Sequence, residues 1–200
     1  MVNNYGLGEI LKNMISLIYT RLFYKGARLV RRPIYVRGKR FLDYGQGFTT
    51  GYNCRFEMFD TGSGSNKKII IGHKCKFGDY VHIASGEKVL IGNNCLLASK
   101  IFISDISHGN YSDSTLSSTP DVPPDERPIF SRPVSIGNNV WIGENVCILP
   151  GVSIGNGCII GANSVVNKDI PENCIAVGSP AKVVKKYNDI TKKWVRYSSV

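Results

Sequence analysis

The stretch IGNNVWIGENVCILPGVSIGNGCIIGANSVV, residues 136–166, decides the fold of this chain of 200 residues. An aliphatic residue occupies every sixth position: Ile136, Ile142, Ile148, Ile154 and Ile160. A period of six excludes an amphipathic helix, in which apolar residues return every three or four positions. A small or branched residue also stands four positions after each aliphatic residue. Because both positions fall on one side of an extended segment, each hexad predicts a short strand with two inward side chains.

The same period recurs in the upstream half of the chain. The repeating positions there are Ile71, Phe77, Ile83, Ile91, Leu97 and Ile103, with a fainter run at Tyr44, Thr50 and Phe56. Asn or Gly is frequent three positions after the repeating residue, and both enter the left-handed backbone region at low cost. Each strand is therefore expected to end in a tight corner, and three hexads per turn would close a triangular prism. The period itself gives neither the handedness nor the number of faces.

The repeat divides the chain into an N-terminal segment (1–40), the prism (41–186) and a C-terminal tail (187–200). The first part is predicted to form a helix, because Leu7, Leu11, Ile18 and Leu22 fall on one helical face. Such a helix can cap the open end of the prism, lie at a membrane interface or contact another subunit. The tail is expected to form another helix or a strap.

One long loop interrupts the prism at residues 109–133. The loop is polar and holds five of the nine prolines of the chain. Because the repeat resumes at Ile136, the loop must leave the prism and return to it, and there it can wall a cleft. An insertion without a function is the alternative.

The net charge of +10 is concentrated in residues 1–40, which hold nine basic residues and one acidic residue. This charge favours an anionic partner, either phosphates or a membrane surface. No nucleic-acid-binding motif accompanies it, so nucleic acid is not an expected partner. No apolar run is long enough to span a membrane and no signal peptide is evident, so the expected compartment is the cytoplasm or the inner face of its membrane. The six cysteines are expected to be reduced thiols that do not bind zinc.

Two segments carry a family resemblance: IGNNVWIGENVCILPGVSIGNGCIIGANSVVNKDIPENCIAVGSPAKVVKK (136–186) and FISDISHG (102–109). They resemble the hexapeptide-repeat acyltransferases, over roughly residues 41–186. The resemblance implies an all-β fold, a left-handed parallel β-helix with an N-terminal helical segment and one long extruded loop. It also implies a homotrimer with active sites between subunits. The most similar members acetylate sugars of lipopolysaccharide O-antigen or capsule, which implies transfer of an acetyl group from acetyl-CoA to a glycan hydroxyl.

The resemblance places the catalytic histidine of the superfamily at His108, as the general base. An imidazole titrates near neutrality, so it suits removal of a proton from an acceptor hydroxyl. A histidine that only anchors the loop is the alternative. Asp105 is expected either to orient His108, as a carboxylate does in catalytic triads, or to form a turn. A thioester is already electrophilic, so no metal is required.

His82 and Trp141 occupy the same outward position of their hexads as His108. The resemblance assigns His82 to the acceptor and Trp141 to the active-site cleft, whereas His73 is expected to be structural or exposed. The residues matching the CoA region of the superfamily are Gly143, Gly161, Ala162, Asn167, Lys168, Lys182 and Lys185. Small residues would let the pantetheine arm approach the backbone, and the lysines would contact phosphates. Glu144 departs from the small polar residue of some relatives.

Other functions remain open from the sequence. The acceptor can be a free sugar, a sugar nucleotide or an antibiotic instead of a lipopolysaccharide or capsule sugar. A γ-class carbonic anhydrase shares the fold but needs three histidines around one zinc ion, and His73, His82 and His108 take unlike positions in their hexads. A non-catalytic binding module is expected to lack the histidine at the prism edge or the long loop, and this chain has both.

Overall fold

The computed structural model describes residues 5–60, 67–111 and 117–197. Short parallel strands wind around one apolar core and form three sheets, which are the faces of a triangular prism. Each turn of the chain, here called a rung, adds a strand to face 1, then to face 2, then to face 3. The hexad pattern therefore produces the prism that the sequence predicts.

The strands belong to three faces and two hairpins. Face 1 contains β1 (Leu29–Val30), β4 (Thr49–Thr50), β7 (Lys76–Phe77), β10 (Leu96–Leu97), β15 (Trp141–Ile142), β18 (Ile159–Ile160) and β20 (Cys174–Val177). Face 2 contains β2 (Ile34–Arg37), β5 (Cys54–Met58), β8 (His82–Ser85), β11 (Phe102–Ser104), β16 (Cys147–Ile148) and β19 (Val165–Val166). Face 3 contains β3 (Leu42–Tyr44), β6 (Ile69–Ile71), β9 (Val89–Ile91), β14 (Val134–Ile136) and β17 (Ser153–Ile154). The remaining elements are helix α1 (Leu7–Phe23), a 3-10 turn (Lys39–Phe41), and the antiparallel strands β12 (Ile106–His108), β13 (Ile129–Ser131), β21 (Lys182–Asn188) and β22 (Lys193–Arg196).

Inward side chains of successive rungs stack on one another. Ile136 pairs with Ile154 and Ile142 pairs with Ile160, so a rung here takes 18 residues, or three hexads. Every repeating position predicted between residues 71 and 160 is buried. Burial of one such side chain stabilises the fold by about 1.5–3 kcal/mol. The prediction of the inward positions is confirmed.

The corners of the prism use the residue types that the repeat predicts. Six asparagines have φ between 56° and 59°: Asn53, Asn94, Asn139, Asn145, Asn163 and Asn173. This left-handed conformation turns the chain from one face of the prism to the next within one residue, and asparagine tolerates it better than branched residues do. Five of the six cysteines are buried, and all six are free thiols.

The structure corrects three boundaries. The prism begins at Leu29 rather than at residue 41, because β1, β2 and β3 form a complete first rung. The tail does not form a helix, because β21 and β22 make a hairpin that extends face 1. The loop begins at Ile106 rather than at residue 109, because β12 pairs with β13 outside the prism. Residues 112–116 of the loop lie outside the described residues.

Helix α1 packs against β1 at the first rung, and an aromatic cluster follows it. The rings of Tyr24, Tyr44 and Phe48 contact one another, with centroid distances of 6.0 Å and 5.7 Å along the series. Tyr24 and Phe48 are buried, so these rings fill the open end of the core. No helix in the described part of the chain is long and apolar enough to cross a membrane.

The corner at Asn139 provides a test of the backbone geometry. Asn139 is exposed and has a φ of 58°. Asn139→Val should lower the free energy of unfolding by about 1–2 kcal/mol relative to Asn139→Gly, because only the branched residue is strained in the left-handed region. The measurement is equilibrium denaturation, with Ser153→Val on an exposed extended position of β17 as the control. Equal stabilities for the two Asn139 variants would contradict the corner geometry.

Candidate active site

His108 ends strand β12 and lies outside the prism. Its backbone pairs with Ile129 of β13, and the Tyr111 hydroxyl donates a 2.6 Å hydrogen bond to its carbonyl oxygen. Arg127 in turn donates to the Tyr111 hydroxyl at 2.7 Å. The imidazole is exposed, and within the described residues no hydrogen bond engages it. The hairpin therefore fixes the main chain of His108 and leaves both ring nitrogens accessible to a ligand.

Asp105 is fully buried at the root of the same loop. Its carboxylate accepts hydrogen bonds from the amides of Gly86, Glu87 and Lys88 at 2.5–2.9 Å, and the Ser85 hydroxyl lies 2.9 Å away. No hydrogen bond joins it to His108 in the part of the chain that the structure describes. Of the two roles expected for Asp105, these contacts fit the turn and not the orientation of the imidazole. Asp105 instead ties the root of the loop to the turn that follows β8.

His82 belongs to a charged cluster on the outer side of face 2. Its Nε2 lies 3.1 Å from a carboxylate oxygen of Glu57, and the same oxygen is 2.6 Å from Nε of Arg55. The ring of Phe102 lies against the imidazole, with a centroid distance of 5.1 Å. His82 is half-buried and Glu57 is buried, so the ring is held in one orientation.

The electrostatics of this cluster favour an ionised carboxylate. The hydrogen bond from Arg55 lowers the pKa of Glu57 from its usual value, and His82 adds a smaller effect in the same direction. Burial acts against both. Because an ionised carboxylate only accepts, Nε2 of His82 is the donor in this contact, and in a neutral imidazole Nδ1 is left as an acceptor for a ligand.

A second group of predicted residues lies where the chain passes from face 1 to face 2. We call this the glycine edge; it consists of Gly143, Gly161 and Ala162. A Cβ on Gly143 would lie 2.6 Å from the amide nitrogen of Ala162, and one on Gly161 would lie 2.6 Å from Cγ1 of Val177. Larger residues at either glycine would therefore clash with the next rung. Trp141 projects from face 1 beside this edge, and half of its surface is exposed.

The remaining predicted CoA residues divide between two places. Lys182 pairs with Val177 in β21 and is thus close to the glycine edge, whereas Lys185 pairs with Ile175 further along the strand. Asn167 and Lys168 follow β19, where the chain passes from face 2 to face 3. The loop with His108 leaves the prism two rungs away at the same place, which we call the loop edge. All four side chains are exposed.

The structure therefore brings the predicted residues into two groups rather than one. Trp141 and Lys182 accompany the glycine edge, His108 and Asn167 accompany the loop edge, and face 2 with His82 separates them. A groove of about 290 Å³ is lined by residues that flank His108, such as Ser107 and Tyr111. A larger groove of about 670 Å³ lies between α1 and face 1 and contains none of the predicted site residues.

The described residues contain no evident metal site. No three His, Cys, Asp or Glu side chains converge there on a position that could hold a metal ion. The ring of His73 instead accepts a 3.0 Å hydrogen bond from the amide of Gln46, and His82 faces Glu57. Burial raises the pKa of the Cys54 thiol to about 12, so this group is not a nucleophile at neutral pH.

Comparison with known proteins identifies the family. Residues 133–168 match the model of the bacterial transferase hexapeptide, a motif of six repeats. Over 194 residues the chain is 44% identical to WbbJ of Escherichia coli K12, assigned to lipopolysaccharide biosynthesis as an O-acetyl transferase. The match covers 97% of this chain and 96% of WbbJ. The chain belongs to the hexapeptide-repeat acetyltransferases. It is an enzyme that transfers acyl groups.

Two further comparisons concern a more distant relative and a solved structure. The galactoside O-acetyltransferase of Escherichia coli K12 is 37% identical over 131 residues, which are 66% of this chain and 59% of that enzyme. The N-acyltransferase AntD of Bacillus cereus, solved with dTDP and 3-hydroxybutyryl-CoA, superposes with a TM-score of 0.67 and 19% identity. The superposition covers 96% of this chain and 93% of AntD, and it shows a common fold, the left-handed parallel β-helix.

Sequence reasoning missed Glu57 and Arg55. Both belong to the fainter part of the repeat, where Arg55, Glu57 and their neighbours alternate around the inward Phe56. Alternation alone could have placed the two charges on the outer side of face 2. It could not have shown that Glu57 is buried against His82, because their separation of 25 residues reflects the longer upstream rung.

The environment of Asp105 gives a testable prediction. Asp105→Ala should lower the free energy of unfolding by at least about 3 kcal/mol, because several buried backbone amides would lose their hydrogen-bond acceptor. Asp169→Ala is the matched control: that exposed carboxylate accepts from the Ser153 amide alone, at 2.8 Å, and its loss should cost about 1 kcal/mol or less. Chemical denaturation measures both. If Asp105→Ala is as stable as the control and only the pH profile of activity changes, Asp105 orients His108 after all.

Proposed function

We propose that this enzyme transfers the acetyl group of acetyl-CoA to a hydroxyl of a sugar in lipopolysaccharide O-antigen or capsule. The observation that carries the proposal is the 44% identity to WbbJ over nearly the whole of both chains. Free sugars, sugar nucleotides and antibiotics are the competing acceptors. The free thiols of all six cysteines favour the reducing cytoplasm as the compartment.

In the proposed mechanism His108 is the general base. Its imidazole removes the proton of the acceptor hydroxyl while the oxygen attacks the acetyl carbonyl carbon. The tetrahedral oxyanion is stabilised by backbone N–H groups. When it collapses, the C–S bond breaks, and the imidazolium returns the proton to the leaving thiolate of CoA. The accessible ring of His108, held on a paired strand, supports this role.

The glycine edge is the proposed path of the pantetheine arm. Gly143 and Gly161 leave no side chain in the way, and Ala162 adds only a methyl group. Lys182 and Lys185 are exposed cations on β21, suited to the phosphates at the end of CoA. Asn167 and Lys168 belong to the opposite edge, so they can contact the same CoA molecule only from a second copy of the chain.

The separation of the two edges supports a homotrimer. A thioester held at the glycine edge of one prism is out of reach of His108 on the loop edge of that prism, because face 2 lies between them. Copies arranged around a threefold axis would place the loop edge of each copy beside the glycine edge of the next. Each active site would then combine His108 of one copy with Trp141 and the glycines of another.

The acceptor sugar is proposed to contact His82 and Trp141. A partly exposed indole offers a flat apolar surface to a sugar ring. His82, held by Glu57, presents Nδ1 as an acceptor for a sugar hydroxyl. Glu57 would act as a positioning residue that fixes the tautomer of this ring.

The test is turnover of acetyl-CoA, followed as release of free thiol, with an O-antigen oligosaccharide, a galactoside and an antibiotic as acceptors. His108→Ala should lower kcat by about 10²–10⁴-fold, the usual contribution of a general base, and leave binding of acetyl-CoA unchanged. His73→Ala, which removes a histidine remote from both edges, should retain kcat. Wild-type kcat in His108→Ala would exclude this base, and a preference for the antibiotic would replace the glycan acceptor.

A further inference from the structure

Helix α1 turns its polar side toward the prism. Ser16 and Thr20 are each only 1% exposed. The Thr20 hydroxyl accepts a 2.8 Å hydrogen bond from the amide of Val30, the second residue of β1. Asn13 accepts another from Nε of Arg31. Polar contacts thus hold the helix against the first rung, which reverses the usual arrangement of an amphipathic helix on a core.

The opposite side of the helix is apolar and faces outward. Six side chains on it are each at least half exposed: Leu7, Leu11, Met14, Ile15, Ile18 and Leu22. They follow one another at helical spacing and form a continuous surface, here called the outer stripe, along the whole of α1. A continuous apolar surface of this kind marks a site of interaction with a membrane or a protein.

The cations around the outer stripe fall into two classes. Arg31, Arg32 and Lys39 attach the helix to the prism through Asn13, the Tyr19 ring and the carbonyl oxygen of Phe23. Four others are exposed, and among the described residues no hydrogen bond or ion pair engages their side chains: Lys12, Arg21, Lys25 and Arg28. The only acidic residue of the helix, Glu9, accepts from the amide of Gly6 at the N-terminus of α1. The stripe is thus bordered by uncompensated positive charge.

We propose that α1 docks on a bilayer that carries anionic lipids, with the outer stripe among the acyl chains and Lys12, Arg21, Lys25 and Arg28 at the phosphates. The helix has 17 residues, too few to span the bilayer, so it lies in the plane of the interface. The positive charge of these four residues favours an anionic bilayer over a second copy of the chain. Packing the stripe against the same stripe of a second copy would bring two cationic borders together, whereas an anionic surface neutralises them.

This inference goes beyond the proposed function and does not depend on it. Docking needs only α1 and its cations, whereas acetyl transfer needs the residues of the two edges. If the proposed function also holds, docking keeps the enzyme beside an acceptor that is carried on a lipid. Binding to vesicles tests the docking proposal and turnover of a soluble acceptor tests the proposed function, so either proposal can be refuted without the other.

The test is cosedimentation of the full chain with vesicles of phosphatidylcholine alone or mixed equally with phosphatidylglycerol. The wild type should bind the mixed vesicles, and added salt should weaken the binding. Leu11→Ser combined with Ile18→Ser should weaken it by at least about tenfold, because two large apolar side chains are lost from the interface. Each of Lys12→Gln and Arg21→Gln should weaken it by about fivefold. Ile190→Ser, an equally apolar change at a residue 93% exposed in the C-terminal hairpin, should have no effect.

Light scattering of the same proteins tests whether the outer stripe binds a second copy of the chain instead of a membrane. The double variant should keep the wild-type mass in solution and the wild-type circular dichroism. A smaller mass for the double variant would mean that the outer stripe is an interface between copies, and would overturn the proposal. Failure of the wild type to bind the mixed vesicles would also overturn it, as would equal binding to both kinds of vesicle.

Discussion

Stacking of identical positions in successive rungs is the constraint on which the rest of this structure depends. Each inward aliphatic residue lies directly on the corresponding residue of the previous rung, as Ile142 does with Ile160. The corners have equally little space, because a Cβ on Gly143 would reach the backbone of the next rung. A close-packed column of this kind does not tolerate an extra residue inside it. Additional segments must therefore leave at an edge, and the loop that carries His108 does so.

Asp105 stabilises the backbone at the point where the loop leaves the prism. A loop that departs from a parallel stack interrupts the backbone pairing on which the neighbouring turn relies. The buried carboxylate accepts from three successive amides, Gly86 to Lys88, and so satisfies the donors beside the interruption. The same exit carries His108 away from face 2 and fixes it at the loop edge. Two features of the enzyme thus share one cause: the stability of the loop root and the separation of the proposed base from the glycine edge.

The sequence predicts the periodic part of the molecule well and the aperiodic part less well. The inward positions from Ile71 to Ile160 follow from spacing alone, because every hexad repeats the same local geometry. The tail was expected to be a helix or a strap, but forms a hairpin, since pairing with the last strand of face 1 outweighs local propensity. The apolar pattern predicts the helix α1, but it does not decide which side of the helix faces the prism. Hydrogen bonds from β1 to Thr20, not apolar burial, decide which side faces the prism.

The sequence supplies candidate site residues but does not show how they are grouped in space. A motif places His108 and Gly161 on the chain, but the distance between two edges of a prism is a property of the whole rung. The central claim is that these edges meet only between copies. The most direct test is to co-assemble two inactive variants, His108→Ala and Ala162→Phe, the second of which blocks the exposed glycine edge. A mixed trimer should recover about a third of the wild-type activity, since one of its three sites receives both intact edges. No recovery in verified mixed trimers would contradict the account and place the whole site within one chain.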